Sequence, residues 1–430
     1  MAERIAETGE QLTQVEATPS MARAWLVVGL LWMVALLNYL DRLTITTMRD
    51  SIVSDIPMTD AQFGLLTSVF LWIYAALSPA AGYLADRYSR SGVIVVSLFV
   101  WSAVTWLTGH CQTFGQLVTA RALMGIGEAC YIPAALALIS DYHRGATRSK
   151  ATGIHMSGIY AGSALGGIGG YLAVWYGWRT AFTAFGLFGV FYAVLLFFVL
   201  RDASKPAAKV PLAPEATAED PASHLSFLSA LSALLRQPSY LVILAHWSLL
   251  AMAGWSFSGW LPTYLKEHFN MGQGAAGISA TAYLQVAAFV GILVGGAWAD
   301  AWHKTNVRGR ILVPCIGLLA AGPALFMTSS TNVFTFAVAG LLVYGLSRGF
   351  TDSNMMPILC QVADPRYRAT GYGFMNFCSC SVGGVMIWAG GKLRDHDVNI
   401  GLVFQVSAVG LFLGGLMLLL IKPRRNIEAQ

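Results

Sequence analysis

The sequence predicts an all-α membrane protein whose twelve transmembrane helices form two six-helix halves. Hydrophobic residues make up 56% of the 430-residue chain and charged residues only 11%, whereas a soluble domain carries roughly 25% charged residues. Apolar runs close to the ~20 residues that cross a bilayer as a helix recur along the chain. The charged turn GYLADRYSR at residues 82–90 returns in shortened form as GAWAD at residues 296–300, about half a chain later. Such a repeat is typical of secondary transporters built from two similar halves.

The apolar runs place six predicted spans in each half. In the first half they lie at residues 24–45, 61–84, 92–109, 113–139, 150–174 and 180–200, and in the second half at residues 239–264, 275–300, 310–328, 333–360, 367–390 and 400–421. The two halves therefore comprise residues 24–200 and 239–421.

The segments outside the two halves are polar. Residues 1–23 contain no apolar core of a signal peptide, and we expect them to be a disordered cytoplasmic terminus. The linker at residues 201–238 is rich in Ala, Pro, Glu and Ser, which indicates a flexible connection. Apolar residues near its end, at 225–235, predict a short helix on the membrane surface. Residues 422–430 are expected to form a cytoplasmic tail.

The distribution of basic residues predicts the orientation in the membrane. Lys and Arg are concentrated in the termini and in the loops on the same side as the termini, and few occur in the opposite loops. We therefore expect both termini in the cytoplasm and the helices in a bacterial-type inner (plasma) membrane. The net charge of +5 is explained by this bias and does not indicate nucleic-acid binding. The six cysteines lack metal-ligand spacing, so no metal or other cofactor is expected.

Four ionisable residues within the predicted spans indicate a site inside the membrane. Each such residue costs at least ~2.5 kcal/mol at a helix centre and by default faces a partner or a water-filled cavity. Asp41 and Arg42 lie near the end of the first span, and because neighbouring helical residues point ~100° apart they face different partners. Arg121 and Glu128 lie two turns apart on one face of the fourth span. We expect the charges of the two helices to converge on one cavity.

The chemistry of these four residues predicts their roles. Arginine stays charged and offers a fork of donors suited to a carboxylate or phosphate, so Arg42 and Arg121 are predicted to bind the anionic group of a substrate. A buried carboxylate beside an arginine can load and release a proton, so Asp41 and Glu128 are predicted to carry coupling protons. The alternative is a static network of ion pairs that only holds the helices together.

Weaker candidates lie elsewhere in the spans. Arg348 and Asp352 share one face of the tenth span, where they either neutralise each other or act in gating or substrate binding. His155 in the fifth span is a candidate proton relay, whereas His246 in the seventh span is expected to be a packing residue. The polar side chains expected to contact the substrate are Tyr39, Tyr131, Tyr160, Gln285 and Asn354.

Three motifs carry a family resemblance that extends over essentially the whole chain. The turn at residues 82–90 resembles the loop signature of the major facilitator superfamily, with Ser89 where glycine is usual. Its signature residues, in order, are Gly82, Asp86, Arg87 and Arg90. The segment RALMGIGEA at residues 121–129 is similar to the fourth-helix signature of that superfamily. The glycine-rich run at residues 158–167 resembles the motif of its drug antiporters, with Ser163 in place of proline.

The resemblance implies the major facilitator fold, with inverted repeats within each half, alternating access about a midplane site, and a monomer. It also implies an ionic latch at the cytoplasmic side. In one closed state Asp86 is expected to pair with Arg144 or Arg148 of the next cytoplasmic loop, or to face a helix N-terminus. Asp300 holds the corresponding position in the second half. The alternative is that these turns only anchor the topology.

Two branches of the superfamily fit these motifs. The segment NYLDR at residues 38–42, with Arg121 and Glu128, resembles the anion:cation symporters, which take up sugar acids and other organic anions with protons. The segment GEACY at residues 127–131 resembles bacterial relatives of the spinster transporters, which move lysolipids and other amphiphiles. Those relatives usually carry small hydroxyl residues where this chain has Ile132 and Pro133. The main prediction is proton-coupled symport of a small organic anion, and transport of an amphiphile is the alternative.

Functions of other classes are weighed against these two. A non-transporting sensor is expected to lose its coupling carboxylates or to gain a soluble domain, whereas Asp41 and Glu128 are present and the loops are short. An enzyme is not expected, because no nucleophile–base pair, phosphate loop or metal cluster appears at usable spacing. The expected partners are a small organic anion or an amphiphile and the lipid bilayer, with protons as the coupling ion.

Overall fold

The computed structural model describes residues 20–143, 147–203, 227–364 and 367–422, with the backbone alone described at residues 82, 83, 85, 86, 227, 228 and 369. The predicted disordered terminus up to residue 19, most of the linker (204–226) and the tail from residue 423 lie outside the described residues. All regular structure in the described ranges is helical, which confirms the predicted fold class at that level.

The helices of the first half follow the predicted spans closely. They are α1 (Met21–Thr47), α2 (Arg49–Asp55), α3 (Asp60–Arg87), α4 (Arg90–Thr108), α5 (Phe114–Ala129), α6 (Tyr131–Tyr142), α7 (Arg148–Leu165), α8 (Gly169–Tyr176) and α9 (Trp178–Val199). Two of them begin at a capping box, in which Thr59 at the start of α3 and Thr113 at the start of α5 exchange hydrogen bonds with a glutamine three residues later. The short helix α2, which follows α1 directly, was not predicted.

The second half contains the remaining helices. They are α10 (Phe227–Leu235), α11 (Pro238–His268), α12 (Gln273–His303), α13 (Gly309–Ser330), α14 (Phe334–Val362), α15 (Arg368–Arg394) and α16 (Ile400–Leu418). The short helix predicted near the end of the linker is present as α10. Pro238 then starts α11. The first residue of a helix donates no hydrogen bond within the helix, so proline, which lacks the N–H, is well suited to that position.

Ten helical stretches in the described part of the chain are long and apolar enough to cross a membrane, counting α5 and α6 as one. The protein is therefore an integral membrane protein. The predicted fifth and eleventh spans are also helical, as α7 with α8 and as α15, but both are rich in glycine and polar residues. The count of twelve membrane spans consequently remains a prediction.

The predicted fourth span is divided into two helices, and Pro133 explains the division. Proline has no N–H to donate to the carbonyl of Ala129 four residues earlier, and its ring clashes with that carbonyl. The helix accordingly breaks at Cys130, between α5 and α6. The hydroxyl of Ser97 on α4 donates a hydrogen bond to the carbonyl of Gly127 in the last turn of α5. The break thus places Glu128 at the end of a helix instead of in the middle of one.

The helices pack within each half and across the two halves. In the first half α1 packs on α7, α3 on α5, and α4 on both α5 and α9; in the second half α12 packs on α14, α13 on α14 and α16, and α11 on α15 and α16. The halves meet where α3 packs on α15, where α7 and α8 pack on α12, and where α1 contacts α11. These contacts enclose a cavity between the halves.

Glycine allows the close approach of α1 and α7. A Cβ atom at Gly158 would lie 2.6 Å from the carbonyl oxygen of Trp32, and one at Gly162 would overlap the carbonyl of Leu36. Contacts of this kind bring two backbones together in membrane helices, where apolar burial alone gives no preference for a neighbouring helix over lipid. The glycine-rich run at residues 158–167 therefore has a packing role in this chain.

Ion pairs join the two halves at the end of the bundle that carries α2, called the α2 end below. Arg394, at the end of α15, donates from Nε to Oδ2 of Asp60 at the start of α3, 3.0 Å away. Lys266, at the end of α11, pairs with Asp50 in α2. Arg49 pairs with both Asp50 and Asp60 on its own half. Charges from both halves thus form one network.

A carboxylate of the second half also caps a helix of the first half. Asp395 accepts hydrogen bonds from the backbone N–H groups of Asp60, at 2.7 Å, and Ala61, at 3.1 Å. These N–H groups belong to the first turn of α3, where a negative charge is favourable. A Cβ atom at Gly391 would lie 2.7 Å from the carbonyl carbon of Asp60, so the two backbones touch there. The α2 end is therefore closed.

Candidate substrate and proton site

A cavity of about 300 Å³ lies between the two halves. Helices α1 and α7 of the first half and α11, α12, α14 and α15 of the second half supply its walls. Its principal polar and charged lining residues are Tyr39, Arg42, Tyr160, Gln285, Arg348, Asp352, Tyr372 and Asn376. Its principal apolar lining residues are Met156, Ile159, Trp247, Trp255, Met355 and Met356. The cavity therefore combines two arginines and one aspartate with a largely apolar wall.

Of the four charged residues predicted in the first half, Arg42 is the one that lines the cavity. Its Nε donates a hydrogen bond to Oε2 of Glu128 at 2.6 Å, and the two side chains are 4% and 0% exposed. Its guanidinium also lies over three aromatic rings, with centroids 4.7 Å (Tyr39), 5.1 Å (Phe70) and 4.6 Å (Tyr74) away. Its Nη2 has no hydrogen-bond partner among the described residues. The ion pair with Glu128 thus leaves one buried donor of Arg42 without a partner in the described part of the chain.

The other two predicted charges lie behind Arg42, away from the cavity. Asp41 accepts a hydrogen bond from Oγ1 of Thr105 on α4 at 3.3 Å. Arg121 has its guanidinium 4.7 Å from the centroid of the Phe70 ring that Arg42 also contacts. Asp41 and Arg121 both interact electrostatically with Glu128, as Arg42 does. The structure therefore brings the four predicted charges together in one buried cluster.

Only part of the predicted substrate-binding set lines the cavity. Arg42, Tyr39, Tyr160 and Gln285 do. The other three members do not line it: they are Arg121, Tyr131 and Asn354.

Packing explains why those three side chains are absent from the wall. Nε of Arg121 lies 3.4 Å from the carbonyl of Leu66, and its Nη1 lies 3.0 Å from Sδ of Met124. Tyr131 donates to the carbonyl of Leu31 at 2.8 Å. Asn354 donates to the carbonyl of Phe350, one turn earlier on its own helix, at 2.9 Å. Each of these polar groups is thus directed into the protein interior and not towards a ligand.

The two histidines within the membrane are buried away from the cavity. His155 is fully buried and packs edge-on against the ring of Tyr131, with 5.9 Å between centroids. His246 contacts the carbonyl of Gly414 on α16 through Nδ1 at 3.1 Å, which agrees with the predicted packing role. Among the described residues, no group of three or more His, Cys, Asp or Glu side chains is placed to hold a metal ion.

A second charged pair lies on the opposite wall of the cavity. Arg348 and Asp352 form an ion pair along α14, with 3.5 Å between Nε and Oδ2. The hydroxyl of Tyr160 on α7 donates to the same Oδ2 atom at 3.0 Å. This hydrogen bond crosses from the first half to the second. The pair predicted for gating is therefore linked directly to the other half of the molecule.

Several cavity residues were missed from the sequence. Tyr372 and Asn376 on α15 and Trp247 and Trp255 on α11 line the cavity although none was singled out. For Tyr372 and Asn376 the available signal was the unusual polarity of the predicted eleventh span, since a polar face on a membrane helix indicates contact with water or a ligand.

The predicted latch is described only in part. Arg144 lies outside the described residues, and the side chain of Asp86 is not described either, so their pairing stays a prediction. Arg90 pairs with Asp141. Arg148 donates from Nε to Oγ of Ser140 at 3.1 Å. The chain positions Gly82 and Arg87 lie in the last turns of α3.

In the second half, the corresponding aspartate is paired. Asp300 accepts two hydrogen bonds from Arg310 on the following helix, at 3.1 Å from Nε and 2.9 Å from Nη2. The pair joins α12 to α13 within one half, so Asp300 makes no latch to the other half through this contact.

Comparison with known proteins places this architecture in a family. The family model "Major Facilitator Superfamily" matches residues 31–387. Among curated proteins, the chain is 28% identical over 373 residues to "Protein spinster" of Drosophila melanogaster, covering 84% of this chain and 60% of that protein. It thus spans less than two thirds of the length of that relative.

Two bacterial relatives match over more of their length. An "MFS-type efflux pump" of Mycolicibacterium smegmatis is 29% identical over 87% of this chain and 85% of its own. The "Probable sulfoacetate transporter SauU" of Cupriavidus necator is 28% identical over 94% of this chain and 95% of its own.

Solved structures support the fold. Crystal structures of a bacterial homologue of the human lysosomal transporter spinster, described as inward-facing, superpose with TM-scores of 0.73 for the unoccupied and 0.76 for the occupied conformation. Each is 21% identical and covers 94% of this chain. At that identity the likeness concerns the fold.

Proposed function

Because the chain belongs to the Major Facilitator Superfamily, a family of membrane transporters, we propose that it carries a small organic anion together with protons by alternating access. The observation that carries the proposal is the Arg42–Glu128 pair at the wall of the cavity between the halves. A substrate anion and the Glu128 carboxylate compete for one guanidinium. Proton binding and anion binding are therefore coupled at a single side chain.

The coupling follows from the charges. When Glu128 is ionised, it neutralises Arg42, and an anion entering the cavity meets little net attraction. When Glu128 is protonated, Arg42 is released to bind the anion with the donor fork that suits a carboxylate or sulfonate. Asp41 and Arg121 complete the buried cluster and set how readily Glu128 takes a proton. In this scheme Arg121 positions and tunes the carboxylates instead of contacting the substrate.

The direction of the cycle depends on the predicted topology. With both termini in the cytoplasm, the closed α2 end faces outside. A ligand would then enter the cavity of this conformation from the cytoplasm. Rocking of the two halves would open the α2 end, admit a proton and the anion, and release both on the other side. Uptake driven by external acid is the expected result.

A second candidate function is transport of an amphiphile. Two observations favour it: the apolar wall formed by Trp247, Trp255, Met355 and Met356, and the similarity to "Protein spinster". The cavity volume of about 300 Å³ favours the smaller ligand, since it lies at the lower end of the ~300–1,000 Å³ range of ligand pockets. An amphiphile would require the cavity to open towards the lipid.

Thermal unfolding of the purified protein distinguishes the two candidates. A ligand that binds only the native state raises the Tm in proportion to the logarithm of its concentration over its Kd. One panel contains sulfoacetate, sugar acids and other small carboxylates, and the other contains lysophospholipids and sphingoid bases, each tested at acidic and at neutral pH. We expect stabilisation by a small anion that varies with pH. Stabilisation by amphiphiles alone would replace the organic-anion proposal with the second candidate.

A further inference from the structure

Two arginines, one from each half, line the same cavity, and we propose that the substrate is a dianion whose two acidic groups are held by Arg42 and Arg348. Arg42 lies on α1 and Arg348 on α14, and both line the cavity of about 300 Å³. The proposal rests on the proposed function, because it specifies which class of organic anion the same cavity takes.

Arg348 has donors to spare. Its contact with Asp352 joins Nε to Oδ2 at 3.5 Å, which is long for a charged hydrogen bond. Among the described residues, its two Nη groups donate no hydrogen bond, and the side chain is 27% exposed. The Oδ2 atom of Asp352 is also occupied by the hydroxyl of Tyr160. Tyr160 and Arg348 thus share one carboxylate oxygen, and Arg348 lines the cavity with donors that Asp352 does not use.

Arg42 also has an unpaired donor, although its side chain is more deeply buried, with 4% exposed. Glu128 occupies its Nε, while its Nη2 has no partner among the described residues. The ring of Tyr39 lies against Arg42 and within electrostatic range of Arg348. Tyr39 therefore interacts with both cations, and all three side chains line the same cavity.

The unused donors of the two arginines favour two acidic groups over one. Each arginine already has one carboxylate partner, Glu128 or Asp352, and keeps donors that this partner does not use. A ligand with one acidic group pairs with the donors of one arginine and leaves those of the other without a partner, which is costly for buried polar groups. A ligand with two acidic groups pairs with both sets of donors, and it joins the first half to the second. The charge of the substrate itself then helps the halves close around it, which is what alternating access requires of a cargo.

The experiment compares each diacid with its own monoester, so that the carbon skeleton stays constant while one charge is removed. Succinate, glutarate and sulfoacetate are tested against their monomethyl esters by thermal shift of the purified chain and by competition for uptake. We expect each preferred diacid to bind roughly tenfold or more tightly than its ester, the effect of losing one good charged hydrogen-bonded contact. Equal binding of diacid and ester would overturn the clamp and leave the proposed anion transport standing. Stabilisation by amphiphiles and by no anion would overturn both.

Variants assign the second contact to Arg348. Arg348→Gln is expected to abolish the preference for diacids while the esters still bind, because Arg42 remains. Arg348→Lys keeps a point charge and is expected to retain part of the preference, which also provides a folded comparison if the glutamine variant is unstable. The matched control is Arg236→Gln, which removes an exposed arginine at the end of α10. A diacid preference that survives Arg348→Gln would overturn the proposal.

Discussion

The Arg42 side chain connects ligand binding to protonation at the scale of one residue. Glu128 holds it through Nε, three aromatic rings enclose it, and Nη2 is left without a partner among the described residues. Removing one member of a buried ion pair leaves an uncompensated charge in a site of low dielectric. A substitution here therefore affects stability as well as transport, and the two effects have to be measured separately.

We expect Glu128→Gln to abolish uptake driven by a pH gradient and to retain exchange of substrate for substrate. Glutamine keeps the size of the side chain but carries no ionisable proton, so Arg42 stays available for the anion in every step of the cycle. Acid-driven uptake should fall by at least about tenfold while Kd stays the same or decreases. The measurement is uptake and counterflow in vesicles that contain the purified protein.

The matched control for Glu128→Gln is Asp397→Asn, which neutralises an exposed carboxylate in the loop after α15. It should leave both uptake and counterflow unchanged. If Glu128→Gln retains full acid-driven uptake, Glu128 has no part in coupling, and Asp41 becomes the carboxylate to test.

Arg42→Met is expected to destabilise the protein by about 3–5 kcal/mol, because the buried Glu128 carboxylate loses its cation. Adding Glu128→Gln to Arg42→Met should restore most of the Tm, since the pair is then replaced by uncharged groups. Both variants should lose the anion binding of the native protein, because both lack Arg42. A double variant that still binds the anion would show that Arg42 is not a ligand contact.

These residues stand out in the sequence for a physical reason. Charges inside a membrane span are costly, so each of Asp41, Arg42, Arg121 and Glu128 stands out in an apolar run. The spacing of residues in one helix also indicates which of them share a face. What the sequence does not contain is the packing of α3 on α5, which puts Phe70 beside Arg121 and keeps that arginine out of the cavity.

At the scale of helices, small residues decide which pairs approach closely. In the first half, α1 packs against α7. Helix α1 carries Arg42 and helix α7 carries Tyr160, and both side chains line the cavity. Gly162 lies at the closest point of that contact, whereas Gly153, on the same helix, has no atom near the position of a Cβ. The two glycines therefore form a matched pair for testing the packing.

We expect Gly162→Ala to lower stability and Gly153→Ala to leave it unchanged or raise it. A Cβ at Gly162 would overlap the backbone of Leu36 and force the helices apart, which typically costs about 1–3 kcal/mol. At Gly153 the Cβ meets nothing, and alanine favours a helix over glycine by up to about 1 kcal/mol. The Tm values of the two variants test this directly. Equal Tm values would mean that the close contact does not limit packing.

Helix positions were predicted more accurately than helix continuity. Span lengths follow from apolar runs, and the predicted bounds agree closely with the observed helices. The break at Cys130 follows from Pro133, whose effect could have been read from the sequence. By contrast, α2 is a short polar helix beyond a span, and its contacts with the second half depend on tertiary structure.

At the scale of the whole molecule, closure of the α2 end is an interaction between halves. In the sequence, Arg49, Lys266 and Arg394 are three of the few basic residues on the less basic side. In the structure, Lys266 pairs with Asp50 across the halves, and Arg394 joins Asp60 of the first half to Glu267 of its own, with 2.8 Å to each oxygen of Glu267. Pairings between residues so distant in the chain could not be predicted from a single sequence.

Asp395 gives this closure a pH dependence of known sign. Burial alone would raise the pKa of Asp395. The N–H groups of Ala61 and Asp60, the hydroxyl of Thr59 and the charge of the neighbouring His396 outweigh it, so the pKa lies below the ordinary aspartate value of 3.8. A lowered pKa in the closed state means that the ionised form stabilises closure. That contribution is complete above 3.8 and is lost as the pH falls through the lowered pKa. Moderate acid should therefore leave the α2 end closed.

The pH response of the α2 end can be measured separately from that of the proton site. Spin labels at positions 54 and 393, which are exposed on opposite halves at the α2 end, report the opening of this end by electron paramagnetic resonance in a chain whose cysteines are replaced. In the absence of substrate we expect unchanged distances from neutral to mildly acidic pH and opening only below the ordinary aspartate pKa of 3.8. Asp395→Asn should increase the open population at neutral pH, because an amide is a weaker cap for α3, whereas Asp397→Asn should not.

Glu128→Gln provides the decisive comparison for these distances. If mild acid opens the α2 end of the native protein but not of Glu128→Gln, the pH response originates in the buried cluster and is transmitted to the ion pairs between the halves. If both open equally in mild acid, the response originates at the α2 end, and the assignment of proton coupling to Glu128 is wrong. If neither opens, protonation alone is insufficient, and the anion is required to move the halves, as the competition of substrate and Glu128 for Arg42 implies.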